Sequence, residues 1–144
     1  MSNPFIEFLR PHKTVPKTPW TAKSRWDLSL PRICVLFFGL FIFGLGDSLL
    51  IQSTIGNAPW SVLAQGVSGK LDITMGWSTF AISTLVLLLW IPLKEKPGFG
   101  TLSNITIIAA AIQLGVSIFP PQSNFFIAVA YCLIGIAMVG FGSA

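Results

Sequence analysis

The sequence predicts an all-α, polytopic membrane protein, and three observations support that fold class. Hydrophobic residues make up 53% of the 144-residue chain, whereas charged residues make up only 10%. The mean hydropathy is +0.76, and soluble domains usually contain about 25% charged residues. The apolar residues also form runs close to the ~20 helical residues that cross a bilayer core. Because backbone groups in lipid must be paired internally, each run is expected to be a helix.

Residues 1–31 are predicted to form a basic, disordered tail that precedes a membrane domain at residues 32–144. The stretch PHKTVPKTPW contains three prolines, which disfavour a helix interior. Six of the nine basic residues lie at or before residue 32. Since basic residues flank membrane helices on the cytoplasmic side, we expect a bacterial inner-membrane protein with a cytoplasmic N-terminus. A basic tail of this kind does not predict nucleic-acid binding.

The predicted spans number four and cover residues 32–54, 73–93, 99–119 and 124–144. The link between the second and third spans contains Lys94 and Lys96. The links on the opposite side contain only Lys70. This alternation follows the positive-inside rule, and it places Trp60 and Trp77 at the outer interface and Trp90 at the inner one. The lipid bilayer is therefore the first expected partner.

Between the first two spans, the segment GNAPW interrupts the apolar chain and begins a short outer half-helix, predicted at residues 58–70. Pro59 suits the first turn of a helix, and Asn57 is a candidate cap. One interpretation is a re-entrant half-helix whose N-terminal amides face a cavity and could bind an anion. The other is an interfacial helix lying flat, anchored by Trp60.

Asp47 is the only charged residue between Arg32 and Lys70. A carboxylate inside the bilayer costs roughly 2.5–3.5 kcal/mol on insertion scales, so it should face protein or water. It is either a proton, cation or substrate site, or a neutral, hydrogen-bonded residue near the outer mouth. The candidate substrate-binding residues are Asp47, Asn57, Pro59, Trp60, Gln65 and Gln113.

A repeat relates the first span to the last, because GLFIFGLGDS at residues 39–48 is similar to GIAMVGFGSA at residues 135–144. The glycines of both copies are predicted to pack helices closely: Gly39, Gly44, Gly46, Gly135, Gly140 and Gly142. Glycine-rich membrane helices can also match by chance. If the repeat is real, its second copy lies three spans after the first, an odd offset, so the copies cross in opposite directions as an inverted repeat.

The second copy ends at Ala144 without a counterpart of GNAPW. We therefore expect the chain to be a fragment, about the first two-thirds of a six-helix inverted-repeat fold. Such folds place their sites at the interface between repeats, so this chain would contain part of a site.

Residues 44–68 and 97–104 resemble the YczE/YyaS/YitT family of bacterial integral membrane proteins. The similar motifs are a G-x-x-P-W turn at Gly56, Pro59 and Trp60, and a G-x-G-T-x-x-N stretch that ends at Asn104. The family often has an acidic residue after the Pro-Trp pair, where this chain has Ser61. The resemblance implies a polytopic inner-membrane protein related to transport, without a defined substrate.

Enzymatic motifs are lacking, since the sequence has no Ser/His/Asp set, phosphate loop or metal-ligand cluster. Its one histidine, His12, lies in the tail, and Cys34 and Cys132 lie in apolar runs. We expect neither an enzyme nor a cofactor. The leading hypothesis is a permease-like protein for a small solute. The alternative is a non-transporting regulator or scaffold with a membrane protein partner, and a homo-oligomer is compatible with both.

Overall fold

The computed structural model describes Trp26 and residues 28–144. The predictions for the tail at residues 1–25 and for residue 27 lie outside these described residues. The described chain contains five α-helices and no strand. In chain order they are α1 (Leu30–Ser53), α2 (Pro59–Leu71), α3 (Met75–Leu89), α4 (Phe99–Ile118) and α5 (Phe125–Ser143).

The ends of α1 and α5 follow from local chemistry. Pro31 lies in the first turn of α1, where its missing N–H costs no helical hydrogen bond. The helix ends where Thr54 adopts the left-handed conformation, at φ 59°. The side chain of Asn124 caps α5 by accepting a hydrogen bond from the Phe126 N–H, at 3.0 Å. Pro31 and Asn124 thus suit the helix starts where they lie, whereas the left-handed conformation of Thr54 is uncommon for a β-branched residue.

Helices α2 and α3 form a pair that is bent by 113° at the break between them. Pro59 occupies the first turn of α2, and Asp72 ends the helix in the left-handed conformation, at φ 53°. Helix α3 ends at Leu89, sooner than the predicted span to residue 93. Ile91 precedes Pro92, and a residue before proline is disfavoured in the helical region.

Helix α1 packs alongside α4 in a parallel orientation and alongside α5 in an antiparallel one. Near their N-termini, Phe37 of α1 stacks on Phe99 of α4 with ring centroids 6.2 Å apart. At the other end, the Gln52 side chain donates a hydrogen bond to the Val116 carbonyl of α4 at 3.0 Å. These contacts show that α1 and α4 run in the same direction, whereas Gly39 meets Gly142 and Gly46 meets Gly135, so α1 and α5 run in opposite directions.

Glycines bring α1 and α5 into main-chain contact at two levels. A Cβ added to Gly39 would lie 3.1 Å from the Gly142 carbonyl oxygen, and one added to Gly142 would lie 2.6 Å from the Gly39 oxygen. Gly46 and Gly135 have the same reciprocal relation, at 2.9 and 2.8 Å. We call these four residues the glycine crossing. Small residues permit this approach because no side chain separates the backbones.

The two remaining repeat glycines differ. A Cβ on Gly44 would lie 2.6 Å from the Ala111 Cβ, so Gly44 packs α1 against α4. Among the described residues, no heavy atom lies within 4 Å of a Cβ built on Gly140. Gly140 therefore makes no helix contact comparable to that of Gly44 in this part of the chain.

A small apolar core holds α2 against the longer helices. It consists of Ile51, Ala64, Met75, Ile82 and Ile112, contributed by α1, α2, α3 and α4. Ala64 is fully buried, whereas Val62 and Leu63 on the other face of α2 are exposed. The short helix thus has one face toward the bundle and one face away from it.

Most large apolar side chains point outward rather than into the core, as expected of helices that face lipid. By length and composition, α1, α4 and α5 can each cross a membrane, and the bent pair α2 and α3 adds a fourth passage if counted as one span. Alone, α3 is about 22 Å long at ~1.5 Å per residue, shorter than a bilayer core of about 30 Å. The protein has the predicted all-α, polytopic membrane fold.

Candidate functional site

A cavity of about 350 Å³ lies where all five helices meet. We call it the Asp47 cavity, because Asp47 is the only acidic side chain that lines it. No Lys or Arg is among the described residues that line it. Its polar and aromatic lining comprises Phe43, Asp47, Trp60, Ser61, Thr79, Ser83 and Asn104.

Asp47 and Ser61 form a buried pair between α1 and α2. The Ser61 hydroxyl donates a hydrogen bond to Oδ2 of Asp47 at 2.7 Å. Only 6% of Asp47 and 2% of Ser61 are exposed. A buried carboxyl group is costly unless it is hydrogen-bonded or paired with a charge. Ser61 supplies one hydrogen bond, and the cavity lies next to the carboxyl group.

Asp47 also shows how deeply the short helix enters the bundle. It lies about 9 Å along α1 from Ser53, at ~1.5 Å per residue. The N-terminal turn of α2 therefore reaches well inside the end of α1, since Ser61 touches Asp47. A Ser78 hydroxyl hydrogen bond to the Ala64 carbonyl, at 2.6 Å, fixes the next turn of α2 against α3.

A second cavity, of about 440 Å³, continues from the first. The two share four lining residues, which are Trp60, Ser83, Asn104 and Ile105. The second cavity extends to Trp90 at the end of α3 and to Gly100 at the start of α4. Together they make a path from Asp47 toward the side of the bundle where α4 begins.

The opposite side is closed by hydrogen bonds between the end of α1 and the α4–α5 link. Gln52 donates through its side chain to the carbonyl groups of Val116 and Phe119. The backbone carbonyl of Gln52 accepts from the Gln122 N–H at 2.9 Å, and Thr54 donates to the Gln122 carbonyl at 3.0 Å. These hydrogen bonds join α1 to α4 and to the α4–α5 link at the end of the bundle opposite the path.

Trp60 lies elsewhere than the sequence predicted. We expected it at the outer interface together with Trp77, on the side opposite Trp90. Instead, Trp60 lines the same cavity as Trp90, beside Ser83 in the middle of α3. The reason is the 113° bend between α2 and α3, which turns the start of α2 toward the middle of α3. Trp60 is 42% exposed and lines both cavities.

Asn57 and Gln65 bind each other rather than the cavity. The Asn57 side-chain amide donates to Oε1 of Gln65 at 2.8 Å. The N-cap position of α2 is Ala58, which makes no side-chain capping hydrogen bond, so the predicted capping role of Asn57 is wrong. Its Oδ1 atom is buried without a hydrogen-bond partner among the described residues. Pro59 acts as the first residue of α2.

Gln113 lies at a different place. Its Oε1 atom accepts a hydrogen bond from the Gly76 backbone N–H at 2.9 Å, and it lines a separate cavity of about 480 Å³ with Trp77 and Phe80. An orphan N–H of the first turn of α3 is thereby satisfied from α4. The structure thus brings Asp47 and Trp60 together in one cavity. The other four candidates do not line that cavity: Asn57, Pro59, Gln65 and Gln113.

Four polar residues of the Asp47 cavity were not among the candidate binding residues, namely Ser61, Thr79, Ser83 and Asn104. Thr79 and Ser83 share one face of α3 by their spacing, which is a signal that helix packing explains equally well. The N-cap of α4 is Gly98, and Asn104 lies further along the helix, where it lines both cavities.

In the part of the chain that the structure describes, no group of three or more His, Cys, Asp or Glu side chains could hold a metal ion. Cys34 and Cys132 are free thiols there. The chemistry of the Asp47 cavity is therefore that of one carboxyl group, an amide, hydroxyl groups and an indole in mostly apolar walls.

The chain has several bacterial relatives. An uncharacterized protein of Haemophilus influenzae is 42% identical over 132 residues, covering 92% of this chain and 61% of the relative. The uncharacterized protein YyaS of Bacillus subtilis is 30% identical over 112 residues, covering 74% of this chain and 55% of YyaS. This chain thus spans little more than half the length of either relative.

A third relative is named Na(+)/H(+) antiporter NhaA, from Geobacter sulfurreducens. It is 39% identical over 85 residues, covering 59% of this chain and 21% of that protein. No solved structure matches the chain. Residues 30–144 match a family of unknown function, DUF6198, and the matched range includes all five helices. The chain is therefore a member of the DUF6198 family.

Proposed function

We propose that this protein is a permease-like, non-enzymatic protein of the bacterial inner membrane that binds a small solute at the Asp47 cavity. The observation that supports this most is an aspartate, Asp47, that is only 6% exposed beside a cavity that continues toward the side of the bundle where α4 begins. Intramembrane ionisable residues are costly and commonly mark substrate or ion pathways. The N-terminus is proposed to be cytoplasmic, so this path opens toward the cytoplasm.

The shape of α2 supports this proposal. Its N-terminal turn contacts Asp47 inside the bundle, and its direction reverses at the break before α3. This geometry favours a re-entrant half-helix over a helix lying flat in the interface. Non-helical chain at membrane depth, here residues 54–58, is tolerated where protein or a water-filled cavity surrounds it.

The glycine crossing supports an inverted repeat, and with it the wider YczE-like resemblance. Under the repeat, Gly135 corresponds to Gly39 and Gly142 corresponds to Gly46. Gly39 contacts Gly142, which is the counterpart of Gly46, and Gly46 contacts Gly135, which is the counterpart of Gly39. This reciprocity is what a two-fold axis between equivalent helices produces. Inverted repeats of this kind are common in secondary transporters.

The comparisons add little about chemistry. The name of the Geobacter relative, a Na(+)/H(+) antiporter, is compatible with transport, but the similarity covers only 21% of that protein. The proposal therefore depends on the site rather than on a relative's name.

A labelling experiment tests the one-sided path. In a full-length protein with Cys34→Ala and Cys132→Ala, Asn104→Cys should react with a membrane-impermeant maleimide from the cytoplasmic side only. Thr54→Cys is the matched control and should react only from the other side. Labelling of Asn104→Cys from the outside, or from neither side, would contradict the proposed path.

A ligand screen tests solute handling. Full-length protein in detergent should be stabilised against heat by one class of solute among amino acids, sulfonates, vitamins and amines. Asp47→Asn and Trp60→Ala should abolish that stabilisation, whereas Asp72→Asn, an acidic residue at the end of α2, should preserve it. A protein that responds to no solute but co-purifies with a stable membrane partner would instead support the regulator or scaffold alternative.

A further inference from the structure

We propose that the Asp47 cavity binds a small organic cation, with its ammonium nitrogen against the Asp47 carboxylate. This inference depends on the proposed solute-handling function and specifies its substrate class. It follows from the charge, the walls and the unused hydrogen-bonding groups of the cavity.

The charge of the cavity is unbalanced in one direction. Asp47 is the only acidic residue within the five helices, and no basic side chain is among the described residues that line its cavity. Ser61 donates one hydrogen bond, which compensates only part of the cost of removing a carboxylate from water. A bound cation supplies the missing counter-charge, whereas an anionic solute would add repulsion.

The walls of the cavity favour an organic cation over a metal ion. Aliphatic and aromatic side chains dominate the lining, with Phe43, Leu50, Ile105, Ile108, Ile112 and Val139 among them. Metal ions such as Ca²⁺ require about six to eight oxygen ligands at short distance, and this lining offers few. The volume of about 350 Å³ lies within the usual range of ligand pockets, about 300–1,000 Å³.

Two further groups suit an ammonium ion. Trp60 lines the cavity, and an indole ring attracts a cation positioned over its face. Asn104 also lines it, and its carboxamide oxygen can accept a hydrogen bond from an N–H group. Carboxylate, indole and amide therefore surround a space whose remaining walls suit an alkyl group.

The test compares probes of similar size and different charge on purified full-length protein. The probes are n-butylammonium, tetramethylammonium, n-butanol, butyrate and Na⁺, at constant ionic strength. Saturable thermal stabilisation is expected with the two organic cations only. Stabilisation by Na⁺ alone, by butyrate or butanol to the same extent, or by no probe would overturn the proposal.

Substitutions locate the binding. Asp47→Asn should weaken butylammonium binding at least about 30-fold, since a buried charge partner is lost. Trp60→Leu should weaken it about 2- to 5-fold, as expected for a cation–π contact. The matched control Asp72→Asn should leave the affinity unchanged, and equal effects of Asp72→Asn and Asp47→Asn would contradict the assignment. If Asp47→Asn does not fold, the proposal is tested by the weaker binding of butylammonium to Trp60→Leu and by the preference of the unmodified protein for cationic probes.

An uptake assay distinguishes failure of the cation site from failure of the permease function. Proteoliposomes containing the protein are assayed for uptake of radiolabelled butylammonium. Binding that depends on Asp47 without uptake would support the cation site and contradict the permease. Uptake of a neutral or anionic solute that depends on Asp47 would support the permease and overturn the cation site.

Discussion

Asp47 and Ser61 show how one hydrogen bond connects chain geometry to chemistry. The two residues are joined at 2.7 Å, and both are almost fully buried. Removing a donor from a buried acceptor costs more than the hydrogen bond itself contributes, because the acceptor stays desolvated. The pair therefore holds the start of α2 in place and also sets the orientation of the carboxyl group.

Ser61→Ala is expected to lower the free energy of unfolding by about 1–3 kcal/mol, since it leaves the Asp47 carboxyl group buried without its donor. Thermal unfolding of the full-length protein in detergent measures the effect. Ser117→Ala is the control, because Ser117 is exposed and its hydroxyl group bonds only the Leu114 carbonyl of its own helix. Equal effects of the two substitutions would show that the Asp47–Ser61 hydrogen bond stabilises the protein no more than an exposed hydrogen bond within one helix does.

The sequence predicted part of the site at this scale. A lone acidic residue in an apolar run is visible without a structure, and so is the Pro-Trp turn, so Asp47 and Trp60 were found. Ser61 and Asn104 were not, because serine and asparagine are ordinary in membrane helices. Their role comes from the 113° bend, which brings together residues that no helical periodicity relates.

At the scale of helices, the glycine crossing is the contact that a single methyl group can test. A Cβ on Gly46 would lie 2.8 Å from the Met138 Cβ and 2.9 Å from the Gly135 carbonyl oxygen. Gly46→Ala should therefore destabilise the protein by about 1–3 kcal/mol through overpacking.

Gly69→Ala in α2 is the matched control for that substitution. Apart from its chain neighbours and the backbone of its own helix, no heavy atom of the described residues lies within 4 Å of its added Cβ, so Gly69→Ala should stabilise the protein by about 0.5–1 kcal/mol through better helix propensity. Opposite signs in a thermal unfolding assay support the crossing. Equal signs would mean that α1 and α5 are not in main-chain contact at Gly46.

The closed side of the bundle depends on Gln52. Gln52→Leu removes the hydrogen bonds to the Val116 and Phe119 carbonyl groups, and each lost buried partner costs about 1–3 kcal/mol. Hydrogen exchange should therefore accelerate in the α4–α5 link at residues 119–124 and remain unchanged in α2. Unchanged exchange in the link would show that other contacts close this side.

The sequence predicted which segments form helices better than it predicted how deep each helix lies in the membrane. Hydropathy indicated α1, α4 and α5 because each apolar run is long enough to span, and proline chemistry indicated the start of α2. Hydropathy does not report where a short helix lies along the membrane normal. For that reason the predicted position of Trp60 at the outer interface was wrong. The re-entrant interpretation of α2 is supported by the contact between Ser61 and Asp47.

At the scale of the whole molecule, the parallel and antiparallel neighbours of α1 define two different interfaces. Helix α4 lies parallel to α1 and contacts Gly44 through Ala111. Helix α5 lies antiparallel and contacts α1 through the glycine crossing. In the proposed repeat, Gly140 corresponds to Gly44, so a helix equivalent to α4 would pack over Gly140.

Gly140→Ala tests this prediction in the full-length protein. If an equivalent of α4 packs there, the substitution should cost about 1–3 kcal/mol, as overpacking does. The comparison is Gly69→Ala, which should stabilise. A Gly140→Ala protein that is stabilised like Gly69→Ala would indicate open space at Gly140 and remove this support for the repeat.

The glycine crossing also bears on how the bundle would move. At the Gly39–Gly142 level the neighbours of the added Cβ atoms are main-chain atoms, whereas the side chains of Met138 and Leu50 lie beside Gly46 and Gly135. Phe43 of α1 and Val139 of α5 lie between the two levels of the crossing in sequence, and both line the Asp47 cavity. A small rotation of α5 against α1 about the Gly39–Gly142 contact would therefore move two walls of the cavity relative to each other, which links the low side-chain volume of these glycines to the width of a binding site.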